Sequence, residues 1–202
     1  MNKYEVGIIT DSELGCNFAM RLKETGYSCV LYHTGIEKMS RDEINKYVAE
    51  MQKQGIHTST SMEITLSLLD CPRRIFIVSR SANYSEKILD EIHDFADEHD
   101  IIIDTCDADY NTTASRCRLF EKKNVSYLGV GFSGEATKLL NGTSLMVGGS
   151  RDAYEEVYDM LQDISSKYKG EGCCAYIGPD GAGQYAKMIH NGIEYGVMQS
   201  IV

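Results

Sequence analysis

Short runs rich in valine and isoleucine recur along this chain of 202 residues, and each is bounded by turn-forming residues. Segments with helical periodicity separate them, at residues 15–26, 40–54, 61–70, 84–98, 111–123 and 151–168. The strand-like runs lie at residues 4–10, 28–34, 74–79, 100–105, 125–131, 144–149 and 174–178. Alternation of this kind predicts an α/β fold, a doubly wound and mainly parallel sheet with helices on both faces. We expect residues 7–10 to lie in a central strand.

A final helix is predicted from about Gln184 to Val202, the last residue of the sequence. This helix has no C-terminal capping signal within the sequence, and helices normally end at such a signal. We therefore expect that the natural polypeptide continues, or that this chain is a truncated product.

Composition and charge narrow the classes of partner. The net charge is −10, which disfavours nucleic acid and anionic membrane as partners. There is no long apolar run and no secretory signal pattern, which predicts a cytoplasmic protein. The seven cysteines show no metal-binding spacing, so we predict reduced thiols and no metal site.

The turn after the first predicted strand is the first place to look for a ligand, because doubly wound sheets bind ligands at the carboxyl ends of their strands. Its sequence is TDSELG, in which only the last of three glycine positions of the dinucleotide fingerprint is kept. Acidic residues at 11 and 13 lie where a phosphate would approach. The residues of this edge that are candidates for cofactor contact are Thr10, Ser12, Leu14, Gly15, His33 and Thr34.

The predicted last helix contains KMIHNGIEYGVMQ, in which several polar side chains share one face. At about 100° per residue they form a stripe roughly 100° wide. An apolar face lies beside it, so we expect the stripe to border the core. Gly192 and Gly196 lie one turn apart, which predicts close packing against the backbone. The stripe consists of Lys187, His190, Asn191 and Glu194. On spacing alone, a solvated face with incidental charges is the alternative.

The segment GPDGAGQYAKMIHNGIEYGVMQ resembles the signature G-A-G-H-x-x-K-M-x-H-N-G-I-E-Y-x-x-M-Q of the 6-phosphogluconate dehydrogenase family. The segments CPRRIFIV, DIIIDTCDADYNTTASRCRLF and LGVGFSGEATKLLNGTSLMVGG also resemble that family. The resemblance implies a Rossmann-like domain over residues 1–178. It implies that residues 179–202 begin the family's helical C-terminal domain, which is truncated here, and that the protein is a homodimer if that domain is present.

The same resemblance implies NADP-dependent oxidative decarboxylation of a phosphorylated sugar acid, 6-phosphogluconate, to ribulose 5-phosphate in the pentose phosphate pathway. Lys187 would be the base for the C3 hydroxyl, and it must be neutral and desolvated to act so. Glu194 would be the acid that protonates the enediol. The substrate would also be held by Ser133, Gly134, His190, Asn191, Tyr195 and Asp107.

Several positions depart from the family pattern. Residues 33–35 lack the arginine that grips the 2′-phosphate, and Asp107 replaces an asparagine. The pyrophosphate would also meet Asp11 and Glu13, and the side chains of Thr10 and Ser12 would obstruct its closest approach to the backbone, so glycine at positions 10 and 12 should raise the affinity. We therefore predict weak or absent NADP binding, and the absent C-terminal domain also argues against activity of this chain. Asp107 or Glu135 could pair with Lys187 and keep it charged. A cofactor-deficient pseudoenzyme or regulatory relative, and another β-hydroxyacid dehydrogenase, remain the alternatives.

Overall fold

The computed structural model describes residues 3–133 and 142–201. Ten strands are present in these ranges, and eight of them form one sheet. The strands are β1 (Tyr4–Thr10), β2 (Cys29–His33), β3 (His57–Ser59), β4 (Leu69–Val78), β5 (Ile101–Asp104), β6 (Ser126–Ser133), β7 (Ser144–Gly149), β8 (Lys167–Tyr168), β9 (Glu171–Gly172) and β10 (Cys174–Gly178).

Eight α-helices accompany the strands in the described ranges, and a 3-10 helix (Thr34–Lys38) follows β2. The helices are α1 (Glu13–Glu24), α2 (Arg41–Lys53), α3 (Met62–Ser67), α4 (Ala82–Phe95), α5 (Tyr110–Glu121), α6 (Arg151–Glu156), α7 (Tyr158–Ile164) and α8 (Ala182–Ile201).

The large sheet has the order β10-β7-β6-β5-β4-β1-β2-β3. All neighbours pair in parallel except β6 and β7, which are antiparallel. β1 lies in the interior of the sheet, between β2 and β4. The predicted mainly parallel, doubly wound sheet with residues 7–10 in a central strand is therefore confirmed.

Alternate residues of the strands enter two separate hydrophobic cores, one on each face of the sheet. Ile8 and Phe76 belong to the core that also contains Leu22 of α1. Ile9 and Ile77 point the opposite way, into the core that contains Ile88 of α4. A strand buried on both faces must be apolar at successive positions, which explains the continuous valine and isoleucine runs.

Some elements differ from the prediction. β3 has the sequence HTS and pairs only with β2, so its polar composition gave no strand signal. One helix was predicted over residues 151–168, but α6 ends before Val157, α7 ends at Ile164, and the β8–β9 hairpin follows. β4 begins at Leu69, earlier than the predicted residue 74, and its register with β1 is irregular between Tyr4 and Val6.

α8 crosses β7 and β6 in direct backbone contact with the sheet. A Cβ atom added at Gly183 would lie 2.3 Å from the carbonyl oxygen of Met146 and 2.5 Å from that of Gly129. One added at Gly131 would lie 2.7 Å from the Cβ of Lys187. Because these glycines have no side chains, α8 can approach closely enough to bring Lys187 over the end of β6. No helix of the described ranges is long and apolar enough to span a bilayer.

Candidate functional site

The carboxyl ends of the parallel strands meet at one edge of the sheet. Thr10 at the end of β1 is in register with His33 at the end of β2 and with Val78 at the end of β4. Asp104 at the end of β5 pairs with Ile77 and with Gly129 of β6. This carboxyl edge is where doubly wound sheets bind their ligands.

Thr10 is fully buried, and its hydroxyl makes contacts inside the turn after β1. Its Oγ1 donates a hydrogen bond to the Val78 carbonyl oxygen at 2.7 Å and accepts one from the Ser12 N–H at 3.2 Å. A Cβ atom added at Gly15 would lie 2.3 Å from Thr10, so Gly15 packs directly against this side chain. The expectation that the Thr10 side chain obstructs a phosphate was therefore wrong, because the side chain turns under the loop.

The N-terminus of α1 has features that suit an anion. Ser12 is the N-cap residue, but its side chain makes no capping hydrogen bond, and its buried Oγ has no hydrogen-bond partner among the described residues. Leu14 is buried in the first turn. Uncapped N–H groups and the helix dipole attract a phosphate group, so this turn fits the pyrophosphate of a dinucleotide. Asp11 and Glu13 are exposed beside it and oppose an anion.

The end of β2 is neutral or acidic over residues 33–37. His33 Nδ1 accepts a hydrogen bond from the Gly35 N–H at 3.0 Å. Burial lowers the pKa of His33, although the charge of Asp11 opposes this shift. The Thr34 hydroxyl donates to the Thr10 carbonyl oxygen at 3.4 Å, and the Tyr32 hydroxyl donates to Glu37 at 2.6 Å. None of residues 33–37 is a lysine or an arginine, so this segment offers no permanent positive charge to a 2′-phosphate.

A buried carboxylate, Asp104, organises the loop after β5. Its Oδ2 accepts hydrogen bonds from Ser85 at 2.8 Å, Arg116 at 3.0 Å and Tyr127 at 2.6 Å. Its Oδ1 accepts the Cys106 N–H at 2.9 Å. Burial and the charge of Asp104 raise the pKa of Tyr127 well above its ordinary value, so its hydroxyl remains a donor. A carboxylate so fully satisfied holds the following residues in a fixed position.

Lys187 lies at the carboxyl edge and forms an ion pair with Asp107. Its Nζ is 5.0 Å from the centroid of the Phe132 ring, at the end of β6. The Lys187 side chain is 14% exposed and that of Asp107 55%. Of the two carboxylates that were expected as possible partners of Lys187, Asp107 is the one that pairs with it among the described residues.

Ser133 is the last residue of β6 and directly follows Phe132, whose ring lies beside the Lys187 amine. The Ser133 carbonyl oxygen accepts a hydrogen bond from Thr143. Gly134 and Glu135, which the sequence analysis singled out, lie outside the described residues.

The other stripe residues lie further along α8, past the sheet edge. His190 Nδ1 is 3.3 Å from Asn191 Oδ1 and 3.8 Å from a carboxylate oxygen of Glu194. Glu194 lies seven residues after Lys187, which is about 10 Å along a helix axis. His190, Glu194 and Tyr195 are exposed.

Two expectations about this part of α8 find no support in contacts among the described residues. The apolar face that was expected to border the core is exposed at Ile189, Ile193, Val197 and Ile201. A Cβ atom added at Gly192 or Gly196 would meet nothing within 4 Å, so no close packing on the backbone is present there. The sheet covers only the first half of α8.

Gln184 is a buried site residue that sequence reasoning missed. Its side-chain amide donates hydrogen bonds to the carbonyl oxygens of Cys106 at 3.0 Å and Val130 at 3.4 Å. The available signal was its position three residues before Lys187, on the same face of the helix.

Comparison with known proteins gives a consistent result along the chain. The family model of the NAD binding domain of 6-phosphogluconate dehydrogenase matches residues 5–178. The decarboxylating 6-phosphogluconate dehydrogenase of Buchnera aphidicola is 34% identical over 201 residues, which is 100% of this chain and 42% of the relative. That of Staphylococcus aureus is 35% identical over 198 residues, 98% of this chain and 41% of the relative. The chain thus spans about two fifths of the curated relatives that it matches.

A comparison with solved structures also finds a 6-phosphogluconate dehydrogenase. The 6-phosphogluconate dehydrogenase of Plasmodium falciparum, described in apo form and in complex with NADP+ and with 6-phosphogluconate, superposes with a TM-score of 0.86 at 28% identity. The match covers 98% of this chain and 42% of that one. A 3-hydroxyisobutyrate dehydrogenase from Salmonella typhimurium superposes with a TM-score of 0.74 at 17% identity over 93% of this chain and 61% of that one, and shows likeness of fold alone.

Proposed function

The chain belongs to the 6-phosphogluconate dehydrogenase family, and we propose that it forms the dinucleotide-binding part of an enzyme that oxidises and decarboxylates 6-phosphogluconate to ribulose 5-phosphate. The observation that carries the proposal is the largely buried Lys187 at the carboxyl edge, beside the β5 loop and the end of β6. We place this reaction in the cytoplasm, as a step of the pentose phosphate pathway.

The substrate would lie along α8, between its second and fourth turns. Lys187 would accept the C3 hydroxyl proton, and Glu194, about 10 Å further along the helix, would protonate the enediol at the other end. His190 and Asn191 lie between them and would hold hydroxyl and carboxylate groups. The phosphate and neighbouring hydroxyls would be held by Ser133, Gly134 and Tyr195. Asp107 would face both substrate and nicotinamide.

NADP is the proposed cofactor, and the carboxyl edge would hold it. The uncapped N-terminus of α1, with Ser12, Leu14 and Gly15, would take the pyrophosphate, and His33 and Thr34 would lie beside the adenosine ribose. The cofactor held there would supply the hydride acceptor for oxidation of the sugar acid.

We also propose that residues 1–178 form one domain and that residues 179–202 begin a helical C-terminal domain. The exposed apolar face of α8 supports this division, because a contiguous apolar helix face is normally covered. The covering element would be the remainder of the family's chain, and the complete protein would be a homodimer.

Turnover of 6-phosphogluconate with NADP tests the activity. The assay follows reduced nicotinamide by absorbance and identifies the product by chromatography, with this chain alone and joined to a family C-terminal domain. We expect Lys187→Ala to abolish turnover and Lys167→Ala, a change at an exposed lysine of the β8–β9 hairpin, to leave it unchanged. Turnover that survives Lys187→Ala would overturn the proposal.

The ion pair of Lys187 with Asp107 favours a second candidate, a cofactor-deficient relative without catalysis. A lysine amine that is held by the Asp107 carboxylate is not free to contact a substrate hydroxyl. Such a relative would bind a sugar acid phosphate without oxidising it. Calorimetric binding of 6-phosphogluconate in the absence of any turnover would favour this candidate over the enzyme.

A further inference from the structure

Gln184 connects three elements of the carboxyl edge through one side chain. It lies in the first turn of α8 and is 5% exposed. Its amide nitrogen donates to the Cys106 carbonyl oxygen in the loop after β5 and to the Val130 carbonyl oxygen in β6. A buried amide that spans 78 positions of sequence in a single hydrogen bond constrains the loop and the helix together.

The loop that Gln184 contacts is held at each residue before Asp107. The Thr105 N–H donates to the Ile77 carbonyl oxygen at 3.0 Å, and the Cys106 N–H donates to Asp104 at 2.9 Å. The Cys106 carbonyl is the last backbone acceptor before Asp107, and Gln184 is its donor. The carboxylate of Asp107 then meets Lys187, one turn after Gln184 on the same helix.

We propose that Gln184 is a positioning residue that fixes the Asp107 carboxylate against Lys187 and so controls how freely the Lys187 amine can react. The inference deepens the proposed function, since it rests on Lys187 being the central group of that site. In the chain without ligand, Asp107 acts as an internal counter-ion to Lys187.

The test measures how fast the Lys187 amine is acetylated by an N-hydroxysuccinimide ester, residue by residue by mass spectrometry. Acylation requires the uncharged amine, so an ion-paired lysine reacts slowly. The exposed Lys53 serves as an internal reference in every sample. We expect Asp107→Asn and Gln184→Leu each to raise the relative rate at Lys187 about fivefold. Leucine has a similar size but cannot donate a hydrogen bond.

The double variant separates positioning from general loosening. If Gln184 acts through Asp107, Gln184→Leu adds no further increase in a chain that already carries Asp107→Asn. Gln184→His, whose ring N–H can donate a hydrogen bond, should keep the rate close to that of the unaltered chain. Thermal unfolding of each variant checks that the fold is retained.

Three results would overturn the inference: an unchanged rate in Gln184→Leu, additive effects in the double variant, or an unchanged rate in Asp107→Asn. The last remains decisive if Gln184→Leu does not fold. No substrate or cofactor enters this experiment. Failure of the proposed activity would therefore appear in the turnover assay and leave the acylation result standing.

Discussion

At the scale of single residues, the surroundings of His33 make stability depend on pH. Burial lowers the pKa of this side chain below its ordinary value of 6.5. The unfolded chain then binds a proton more readily than the folded one, so stability is present above pH 6.5 and declines as the pH falls. We expect His33→Gln to make the fall in melting temperature between about pH 7 and pH 5 shallower.

Circular dichroism melts across this range measure that difference. His190→Gln removes an exposed imidazole from α8 and serves as the matched control. An equally steep decline in His33→Gln and the unaltered chain would contradict the assignment of acid sensitivity to His33.

Asp11 bears on cofactor affinity at the same scale. The carboxylate is exposed beside the N-terminus of α1, where the pyrophosphate would lie, and like charges repel. We predict NADP binding weaker than micromolar for the unaltered chain and a gain of about two- to fivefold on Asp11→Asn at low salt. Calorimetric titration measures both values.

Asp70→Asn is the control for this experiment, since it removes the same charge from an exposed residue near the start of β4, at the opposite edge of the sheet. Micromolar NADP binding by the unaltered chain would contradict the prediction. Replacing Thr10 with glycine is no longer expected to help, because its hydroxyl links β1 to β4.

What the sequence reveals at this scale depends on how far apart the contacting residues are. Helix geometry alone aligns Lys187 with the other stripe residues, and α8 is helical over all of them. The contacts of Thr10 with Val78 and of Gln184 with Cys106 join residues 68 and 78 positions apart, and no local pattern encodes such pairs. The sequence indicated Asp107 and Glu135 as alternative partners of Lys187 and could not decide between them.

At the scale of elements, burial decides which strands and helices the sequence discloses. Strands such as β1 and β4, which are covered on both faces, carry continuous apolar runs and are readily recognised. β3 is a three-residue edge strand of polar residues, stabilised by its pairing with β2. The last turn of α7 is held by a long-range contact, because the Arg21 guanidinium donates to the Asp163 carbonyl oxygen at 2.9 Å.

Two glycines of α8 should respond oppositely to alanine. Gly183→Ala places a methyl group against two backbone carbonyls of the sheet, and overpacking of this kind costs about 1–3 kcal/mol. Gly192 has open space around it, so Gly192→Ala should stabilise this chain by up to about 1 kcal/mol through helix propensity. Urea unfolding gives both free energies, and each variant serves as the control for the other.

The contact of α8 with the sheet would be in doubt if both alanine variants were stabilised alike. Loss of stability in both would instead mean that Gly192 is packed in solution.

At the scale of the whole molecule, two hydrophobic cores coexist with an exposed apolar face of α8. Ile193 is 64% exposed, and Val197 lies beside it on the same face. Joint replacement of both by serine should change stability by no more than about 0.5 kcal/mol, because neither is buried. The same change should reduce the fluorescence of a dye that binds apolar surfaces, such as anilinonaphthalene sulfonate.

Val147→Ser, at a fully buried position of β7, is the control that should lower the melting temperature sharply. A comparable loss in the Ile193 and Val197 variant would show that this face of α8 is covered in solution, for example by a second copy of the chain.

The 80 positions between Asp107 and Lys187 also fix an order of events during synthesis on the ribosome. Strands β1 to β5, whose ends form most of the carboxyl edge, leave the exit tunnel first and can pair with one another. Lys187 follows only with α8, after β6, β7 and β10 have been made. The nascent polypeptide can therefore form the carboxyl edge of strands β1 to β5 well before Lys187 is synthesised. During that interval Asp107 has no counter-ion on α8.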